Sequence, residues 1–380
     1  MTSQTSAAVS ESVPPTEAVH APTAVAAERN NSLDGLRAFA VLSVMCVHIG
    51  LPGFDAGWIG VDVFFVLSGF LITTLLSEEF AKRGRISLPR FWARRFLRLM
   101  PIYWLYVGAI TIAMLVGPRD QLHAHAGWTW GEFIASLWAY FVNLVPQGGI
   151  WAHQNLTLHL WSLAVEEQYY FVWPLLCVLC LRFRRAWLLG LVLLGVVLLF
   201  RHHDSRAKTL QVRGIGIVIG STFALYMRTR PEWLLRWFAS VRLRRAVFGF
   251  AALVGLAIAA SSAMHRLDED QIQTYLLPWL CCLFALMVAM LWYGPVDGLA
   301  RRLSSAPLAY LGRISYGVYL YHMVAQFLVW GFLLRGIESW SRIPKYGLRC
   351  LVYFGMTFAL ASASYRFIER PFLRLKSHLH

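Results

Sequence analysis

Long apolar segments recur along nearly the whole chain, and they restrict its fold more than any other feature of the sequence. The clearest of them lie at 187–200, 248–260, 276–292 and 351–363. A helix rises 1.5 Å per residue, so about 20 apolar residues cross the roughly 30 Å hydrocarbon layer of a bilayer. The strands of a membrane β-barrel would alternate apolar and polar residues, and these segments do not. We therefore predict an all-α polytopic membrane protein.

The composition excludes a set of soluble domains. Of the 380 residues, 58% are hydrophobic and 14% are charged, whereas soluble domains carry about 25% charged residues. Too few polar side chains are present to cover the surface of a soluble body of this size. The net charge of +15 fits either nucleic-acid binding or basic loops on the cytoplasmic side of a membrane, and the position of the arginines decides between the two.

The basic residues concentrate in a few segments between the apolar ones. Seven lie in 78–100 and six in 228–245. Because cytoplasmic loops are enriched in Lys and Arg, this pattern favours about ten spanning helices with both termini in the cytoplasm. The segment 131–145 is apolar but short, so it is interfacial, re-entrant or spanning, and a span there would invert the topology that follows. The predicted spans are 34–52, 58–77, 101–117, 161–181, 186–200, 209–227, 246–262, 274–294, 307–333 and 347–367.

The chain divides into one membrane domain and two tails. Residues 1–29 are rich in Ala, Ser, Thr, Val and Pro and have no basic segment of a signal peptide, so we predict a disordered cytoplasmic tail. The membrane domain covers 30–371, and a short basic cytoplasmic tail covers 372–380. The loops between the spans are too short for a separate soluble domain.

Ionisable side chains inside predicted spans indicate function, because burying them in a bilayer is costly. The first span carries Arg37 and His48, eleven residues apart. At 100° per residue they share nearly the same helix face, but about 16 Å of helix separates them. One therefore serves the cytoplasmic end and the other a site in the outer half. The alternative is that Arg37 extends to the interface and His48 is a packing residue.

Further titratable residues are predicted at the depth of His48. The turn after the first span is short, which places Asp62 beside His48, where its carboxylate can orient the imidazole ring. Glu166 and Glu167 follow near the start of the fourth span, and His322 lies in the outer half of the ninth, above Tyr316 and Tyr319. Packing alone explains any one of these residues more easily than it explains the whole layer.

A second group of charges lies at the opposite face. Arg94, Arg95 and Arg98 precede Pro101 at the start of the third span. One interpretation is ordinary anchoring at the cytoplasmic interface. The other is a set of guanidinium groups that binds phosphates in bidentate fashion together with Arg37. Nucleic acid is not expected as the partner, because the rest of the chain lies in lipid.

Several stretches of the chain carry a resemblance to a known family. They are 33–38 (LDGLRA) leading to His48, 60–72 (GVDVFFVLSGFLI), 94–101 (RRFLRLMP), 161–170 (WSLAVEEQYY), 315–322 (SYGVYLYH) and 369–371 (ERP). In this order they resemble the acyltransferase-3 family of bacterial inner-membrane O-acyltransferases, over nearly the whole chain from residue 33. The family pattern of a basic residue, ten residues and a histidine is met by Arg37 and His48.

The resemblance implies a multi-pass protein of the bacterial inner membrane that moves an acyl group from a cytoplasmic acyl-CoA, most often acetyl-CoA, to a carbohydrate hydroxyl. On this view His48 is the candidate general base, oriented by Asp62, and Arg37, Arg94, Arg95 and Arg98 bind the donor phosphates. Glu167 is a further candidate catalytic residue, and Glu166, Tyr316, Tyr319 and His322 bind the acceptor or line its path. No metal ion is expected. Direct attack and a covalent acyl-enzyme both stay open.

The sequence leaves other choices open. Many family members append an extracytoplasmic SGNH-type domain, whereas this sequence stops soon after Pro371. We therefore expect the membrane domain, or a separate extracytoplasmic partner, to complete delivery to a carbohydrate or glycoconjugate acceptor; a homo-oligomer also stays open. The competing function is an exporter or flippase of a glycan or lipid, since buried charge and ten helices would suit it as well.

Overall fold

The structure is a computed structural model, and it describes residues 24–116, 129–144, 156–157, 159–203, 214–264, 271–333 and 342–375. This part of the chain consists of helices, turns and short connections, without β-strands. The α-helices are α1 (Ala24–Ile49), α2 (Gly60–Arg83), α3 (Leu88–Val116), α4 (Trp130–Trp138), α5 (Leu160–Cys180), α6 (Trp187–His203), α7 (Ile215–Met227), α8 (Glu232–Ala239), α9 (Val241–Ala263), α10 (Leu277–Tyr293), α11 (Gly298–Leu303), α12 (Ala306–Arg313), α13 (Ser315–Leu328), α14 (Arg342–Ser364) and α15 (Arg370–Leu375).

Within the described residues, seven helical segments are long and apolar enough to cross a membrane. Two shorter apolar helices, Trp187–Val197 and Ile215–Met227, add to them. The all-α polytopic membrane fold is therefore confirmed. The number of ten spans and the cytoplasmic position of both termini stay predictions, as do the domain boundaries at residues 29 and 371. The seven segments are Glu28–Ile49, Gly57–Arg83, Leu88–Val116, Leu160–Cys180, Val241–Ser262, Ile272–Tyr293 and Pro344–Leu375.

Two predicted segments differ in detail from the observed helices. In 131–145 the only long element is α4, and its 9 residues measure about 14 Å, too short to cross a bilayer. The predicted span 307–333 is divided into α12 and α13, which meet at Ile314. Gly312 of α12 packs so closely on α1 that an added Cβ would lie 1.8 Å from the carbonyl oxygen of Asp34. The crossing of α12 over α1 thus occupies the start of the predicted span.

Close helix contacts through glycine bring the functional helices together. Gly60 of α2 lies against α1, where an added Cβ would be 2.3 Å from the carbonyl oxygen of Ala40. Gly69 of α2 lies against α7 in the same way, 2.1 Å from the carbonyl oxygen of Ile217. Small residues let membrane helices approach to backbone contact. The second helix therefore runs beside the first, as the short turn between them predicts.

Candidate active site

Three histidine rings from three separate parts of the chain meet inside the bundle. His48 lies in the last turn of α1, His159 directly precedes α5, and His322 lies in α13. The His322 ring centroid is 4.9 Å from that of His48 and 5.0 Å from that of His159. His159 and His322 are buried. We call these three residues the histidine cluster.

His322 is held in one orientation by its own helix. Its Nδ1 donates a hydrogen bond of 2.6 Å to the carbonyl oxygen of Tyr319, which leaves Nε2 as the nitrogen with the free lone pair when the ring is neutral. Nε2 is fully buried and has no hydrogen-bond partner among the described residues. In this orientation the neutral ring can accept a hydrogen bond at Nε2.

His159 is a member of the cluster that the sequence did not single out. It lies in the connection just before the span that begins at Leu160, and its ring contacts Tyr106 at 5.8 Å and Tyr319 at 5.4 Å between centroids. Burial, with the nearby His48 ring adding to it, lowers the pKa of His159 to about 3. This ring is therefore neutral at pH 7.

The end of α1, and with it His48, is held by side chains of two other helices. Gln326 of α13 donates to the carbonyl oxygen of His48, and Arg349 of α14 donates to that of Ile49. Tyr346 donates to the carbonyl oxygen of Gly50 at 2.9 Å. These donors satisfy carbonyl groups that a helix end leaves without partners. We call Gln326, Tyr346 and Arg349 the α1 clamp.

Two hydroxyl groups connect the histidine cluster to a cavity. The Ser162 Oγ and the Tyr319 hydroxyl lie 2.7 Å apart, and each donates to the carbonyl oxygen of His159, at 3.0 and 3.1 Å. Both residues line a narrow cavity of about 90 Å³. Since the Tyr319 ring is also 5.4 Å from the His322 ring, the cluster lies directly behind this wall of the narrow cavity.

The narrow cavity adjoins a larger one, and arginines line both. The larger cavity, of about 420 Å³, shares with the narrow one Arg37, Arg95, Arg98 and Arg313. We call it the arginine cavity. Asp34 pairs with Arg37, and the Arg95 guanidinium lies 5.0 Å from the centre of the Tyr170 ring. A polyanion is the ligand that such a group of guanidinium side chains favours.

Arg313 and Glu369 complete the arginine cavity, and the sequence did not assign either to a site. Arg313 falls within an apolar segment, so only its place beside the 315–322 stretch could have pointed to it. Glu369 belongs to the closing stretch 369–371. It lies on a π-helical turn, Tyr365–Glu369, and is buried.

Arg94 does not line the arginine cavity. It lines an adjoining cavity of about 380 Å³ together with Glu79 of α2 and with Arg95 and Arg98, which line both cavities. Its guanidinium lies 3.7 Å from the Glu79 carboxylate. Three of the four arginines predicted to bind the donor therefore come together, and a different arginine, Arg313, joins them.

The two adjacent glutamates face different surroundings. Glu166 lines the narrow cavity and accepts a hydrogen bond from Ser68, which in turn accepts one of 2.9 Å from Tyr170. Glu167 lines a separate cavity of about 780 Å³ beside Trp92. Consecutive helix residues point about 100° apart, so the two carboxylates enter different cavities, and Arg95 lines both of these cavities. The catalytic role of Glu167 stays a prediction.

The remaining predicted residues lie in or near the same region. Tyr316 lines both the narrow cavity and the arginine cavity, and its hydroxyl donates to the carbonyl oxygen of Leu99 at 3.2 Å. Asp62 is fully buried in the first turn of α2. The orientation of His48 by Asp62 stays a prediction. Among the described residues, no group of three or more His, Cys, Asp or Glu side chains suits a metal ion.

Comparison with known proteins relates the chain to O-acetyltransferases. The chain is 30% identical over 362 residues to O-acetyltransferase OatA of Staphylococcus aureus, covering 89% of this chain and 56% of that protein. It is 28% identical over 360 residues to peptidoglycan O-acetyltransferase OatA of Listeria monocytogenes, covering 90% of this chain and 55% of that protein.

A third relative is the putative peptidoglycan O-acetyltransferase YrhL of Bacillus subtilis, 28% identical over 375 residues, covering 89% of this chain and 54% of that protein. The chain thus spans about half the length of these relatives. No solved structure matches it. The family model described as an acyltransferase domain matches residues 30–366. The chain therefore belongs to the acyltransferase-3 family.

Proposed function

We propose that this protein is an O-acetyltransferase of the bacterial inner membrane that moves an acetyl group from cytoplasmic acetyl-CoA to a hydroxyl of peptidoglycan or a related glycan. The observation that carries the proposal is the continuity of the site. An arginine cavity, a narrow cavity and a histidine cluster follow one another through shared wall residues. The phosphate-bearing donor would then bind on one side of the wall that Ser162 and Tyr319 form, and the base that activates the acceptor would lie on the other side.

The arginine cavity suits the phosphates of coenzyme A. Arg37, Arg95, Arg98 and Arg313 converge on it from three helices, and guanidinium groups bind phosphate oxygens through paired charge-assisted hydrogen bonds. The narrow cavity would then receive the acyl-bearing end of the donor, beside Ser162 and Tyr319. Seven basic residues in 78–100 support a cytoplasmic position for this end.

The histidine cluster suits activation of the acceptor. A sugar hydroxyl is a poor nucleophile near neutral pH, and a positioned base raises the rate by about 10²–10⁴. We assign His48 as this base, because the α1 clamp holds the turn that carries it. His48 would take the hydroxyl proton while the oxygen attacks the acyl carbon, and would then give that proton to the thiolate of coenzyme A as it leaves.

The names of the relatives support peptidoglycan as the acceptor. Two of them are named as peptidoglycan O-acetyltransferases, one of these putatively. The chain covers 54–55% of those two proteins, so the acceptor is inferred for this chain from a partial alignment together with the site. A glycan or lipid exporter is the alternative that the experiment must separate from the transferase.

The test is acyl transfer by the purified protein. Protein in detergent is incubated with [¹⁴C]acetyl-CoA and peptidoglycan fragments, and label in the glycan is measured after chromatography. We expect label in wild type and its loss on treatment with mild base, which cleaves O-acetyl esters. Binding and transport of the glycan without label transfer would contradict the proposal and favour an exporter.

A further inference from the structure

The two acidic side chains that line the arginine cavity differ in their partners. Asp34 pairs with Arg37, so an arginine of the same cavity balances its charge. Glu369 is buried, and its Oε1 has no hydrogen-bond partner in the described part of the chain. A buried carboxylate oxygen without a hydrogen-bond donor is costly. An acceptor position on Glu369 is therefore left for water or a ligand.

Glu369 lies where the arginine cavity meets the narrow cavity. The carboxylate itself lines the arginine cavity. A Cβ added to Gly317 of α13 would lie 3.4 Å from its Oε1, and Tyr316, the residue before Gly317, lines both cavities. A molecule that extends from the arginines into the narrow cavity would therefore pass this carboxylate.

The backbone that carries Glu369 departs from a regular α-helix. In the π-helical turn Tyr365–Glu369 the N–H of Arg370 bonds to the carbonyl oxygen of Tyr365, five residues earlier. Single π-helical turns are rare and occur frequently at functional sites. Tyr365 also lines the arginine cavity, so both ends of this turn form part of the cavity wall.

The chemistry of the proposed donor restricts what Glu369 can bind. Acetyl-CoA consists of a phosphorylated nucleotide, a pantetheine arm with two secondary amides, and the thioester. A carboxylate repels phosphate, and the thioester has no N–H or O–H group to donate. The arm connects the phosphates to the thioester, so its amide N–H groups would pass from the arginine cavity towards the narrow cavity.

We propose that Glu369 binds an amide N–H of the pantetheine arm of acetyl-CoA and directs the arm past Tyr316 into the narrow cavity. The arginines would then bind the phosphates, and a carboxylate in the same cavity would bind the uncharged arm. The inference rests on the proposed function, because it takes both the donor and its direction from it.

Two substitutions at Glu369 separate binding of the arm from structural support. Glu369→Ala removes both acceptor oxygens, whereas Glu369→Gln keeps one of them and nearly the same side-chain size. Arg98→Ala, in the same cavity, is the comparison for phosphate binding. Phe367→Leu, at a side chain of the same turn that is 72% exposed, is the control for the turn.

Two inhibitors of label transfer from [¹⁴C]acetyl-CoA distinguish the parts of the donor in the purified full chain. Coenzyme A has the pantetheine arm, and adenosine 3′,5′-bisphosphate lacks it. Glu369→Ala should raise the inhibition constant of coenzyme A about 10–100-fold, as expected for a lost hydrogen bond to a charged group, and should not raise that of the bisphosphate. Glu369→Gln should raise the constant of coenzyme A less, and Arg98→Ala should raise both constants.

Three results would overturn the inference. An equal rise for both inhibitors in Glu369→Ala would mean that the carboxylate supports the cavity or binds the nucleotide. An unchanged or lower constant for coenzyme A would mean that Glu369 does not bind the arm. These two results leave the proposed function intact. Wild-type protein that transfers no label, or that adenosine 3′,5′-bisphosphate does not inhibit, would overturn the proposed donor site and this inference with it.

Discussion

The histidine cluster and the arginine cavity lie in one continuous site, but they are built in opposite ways. The cluster is closed: His159 and His322 are buried, and backbone carbonyls and the α1 clamp fix the surrounding side chains. The arginine cavity, of about 420 Å³, is lined by four arginines together with Asp34 and Glu369. In the histidine cluster each imidazole has its own position and partners. In the arginine cavity several guanidinium groups can bind the same ligand.

This difference predicts which kinetic constant a substitution in each region will change. A closed set of imidazoles depends on each ring nitrogen, because a misplaced proton donor or acceptor is not replaced by solvent. A group of guanidinium side chains shares the binding of a polyanion, so that loss of one leaves the others in place. Substitutions in the cluster should therefore lower kcat strongly, and substitutions in the arginine cavity should raise the KM for the donor moderately.

The largest effect is expected for His48→Ala. Loss of the base should lower kcat by about 10²–10⁴, while the protein still inserts and binds acetyl-CoA. Label transfer measures the rate, and fluorescence-detected size exclusion checks the fold. Cys46→Ala in the same helix is the control and should keep its activity. Wild-type kcat in His48→Ala would refute the assignment of the base.

A smaller effect, and on binding rather than rate, is expected for Arg98→Ala. A charge-assisted hydrogen bond contributes about 1.5–3 kcal/mol, so the KM for acetyl-CoA should rise about 10–100-fold with kcat little changed. Arg94→Ala is the matched variant, four residues earlier in α3, and should change the KM less than twofold because Arg94 does not line the arginine cavity. Equal effects at the two positions would contradict the placement of the donor phosphates in the arginine cavity.

The contact between the two regions is tested by Tyr319→Phe. This change removes the hydroxyl in the cavity wall but keeps the backbone carbonyl that holds His322. Neutral hydrogen bonds contribute about 0.5–1.5 kcal/mol, so kcat should fall about 3–10-fold. The pH–rate profile and kcat are measured together. An unchanged kcat would show that the hydroxyl has no part in linking the cluster to the cavity.

The smallest effect on rate is expected for Gln326→Leu in the α1 clamp. The carbonyl of His48 loses one donor, but Arg349 and Tyr346 still hold the next two carbonyls, so kcat should fall about threefold for a neutral hydrogen bond. The KM for acetyl-CoA should not change. Combining Gln326→Leu with Arg349→Leu should lower kcat by more than the product of the single effects, and strictly multiplicative effects would argue against a shared clamp.

Sequence reasoning succeeded where the signal was local. Apolar length predicted the spanning helices, and the spacing of Arg37 and His48 on α1 placed them in different regions. The two residues do lie apart, one lining the arginine cavity and the other in the histidine cluster. The short turn after α1 predicted α2 as its neighbour, and glycine contacts between them show it.

The sequence predicted less well the contacts between side chains that are distant in the chain. The pairing of Arg94 with Glu79 depends on how α3 crosses α2, and nothing near Arg94 in the sequence shows that. Glu166 and Glu167 are adjacent in the chain, but their cavities are set by the helices packed around α5. His159 precedes α5 in a connection, where a polar side chain is usually solvated, and only the fold buries it.

The most direct test is to determine from which side of the membrane acetyl-CoA donates its acetyl group. Proteoliposomes with the protein in a known orientation receive [¹⁴C]acetyl-CoA either inside or outside, with peptidoglycan fragments in the opposite compartment, and transfer across the membrane is measured. We expect labelled glycan only when acetyl-CoA is on the side of the 78–100 segment, and none with His48→Ala. Equal labelling from both sides, or labelling by the His48 variant at the wild-type rate, would contradict this expectation.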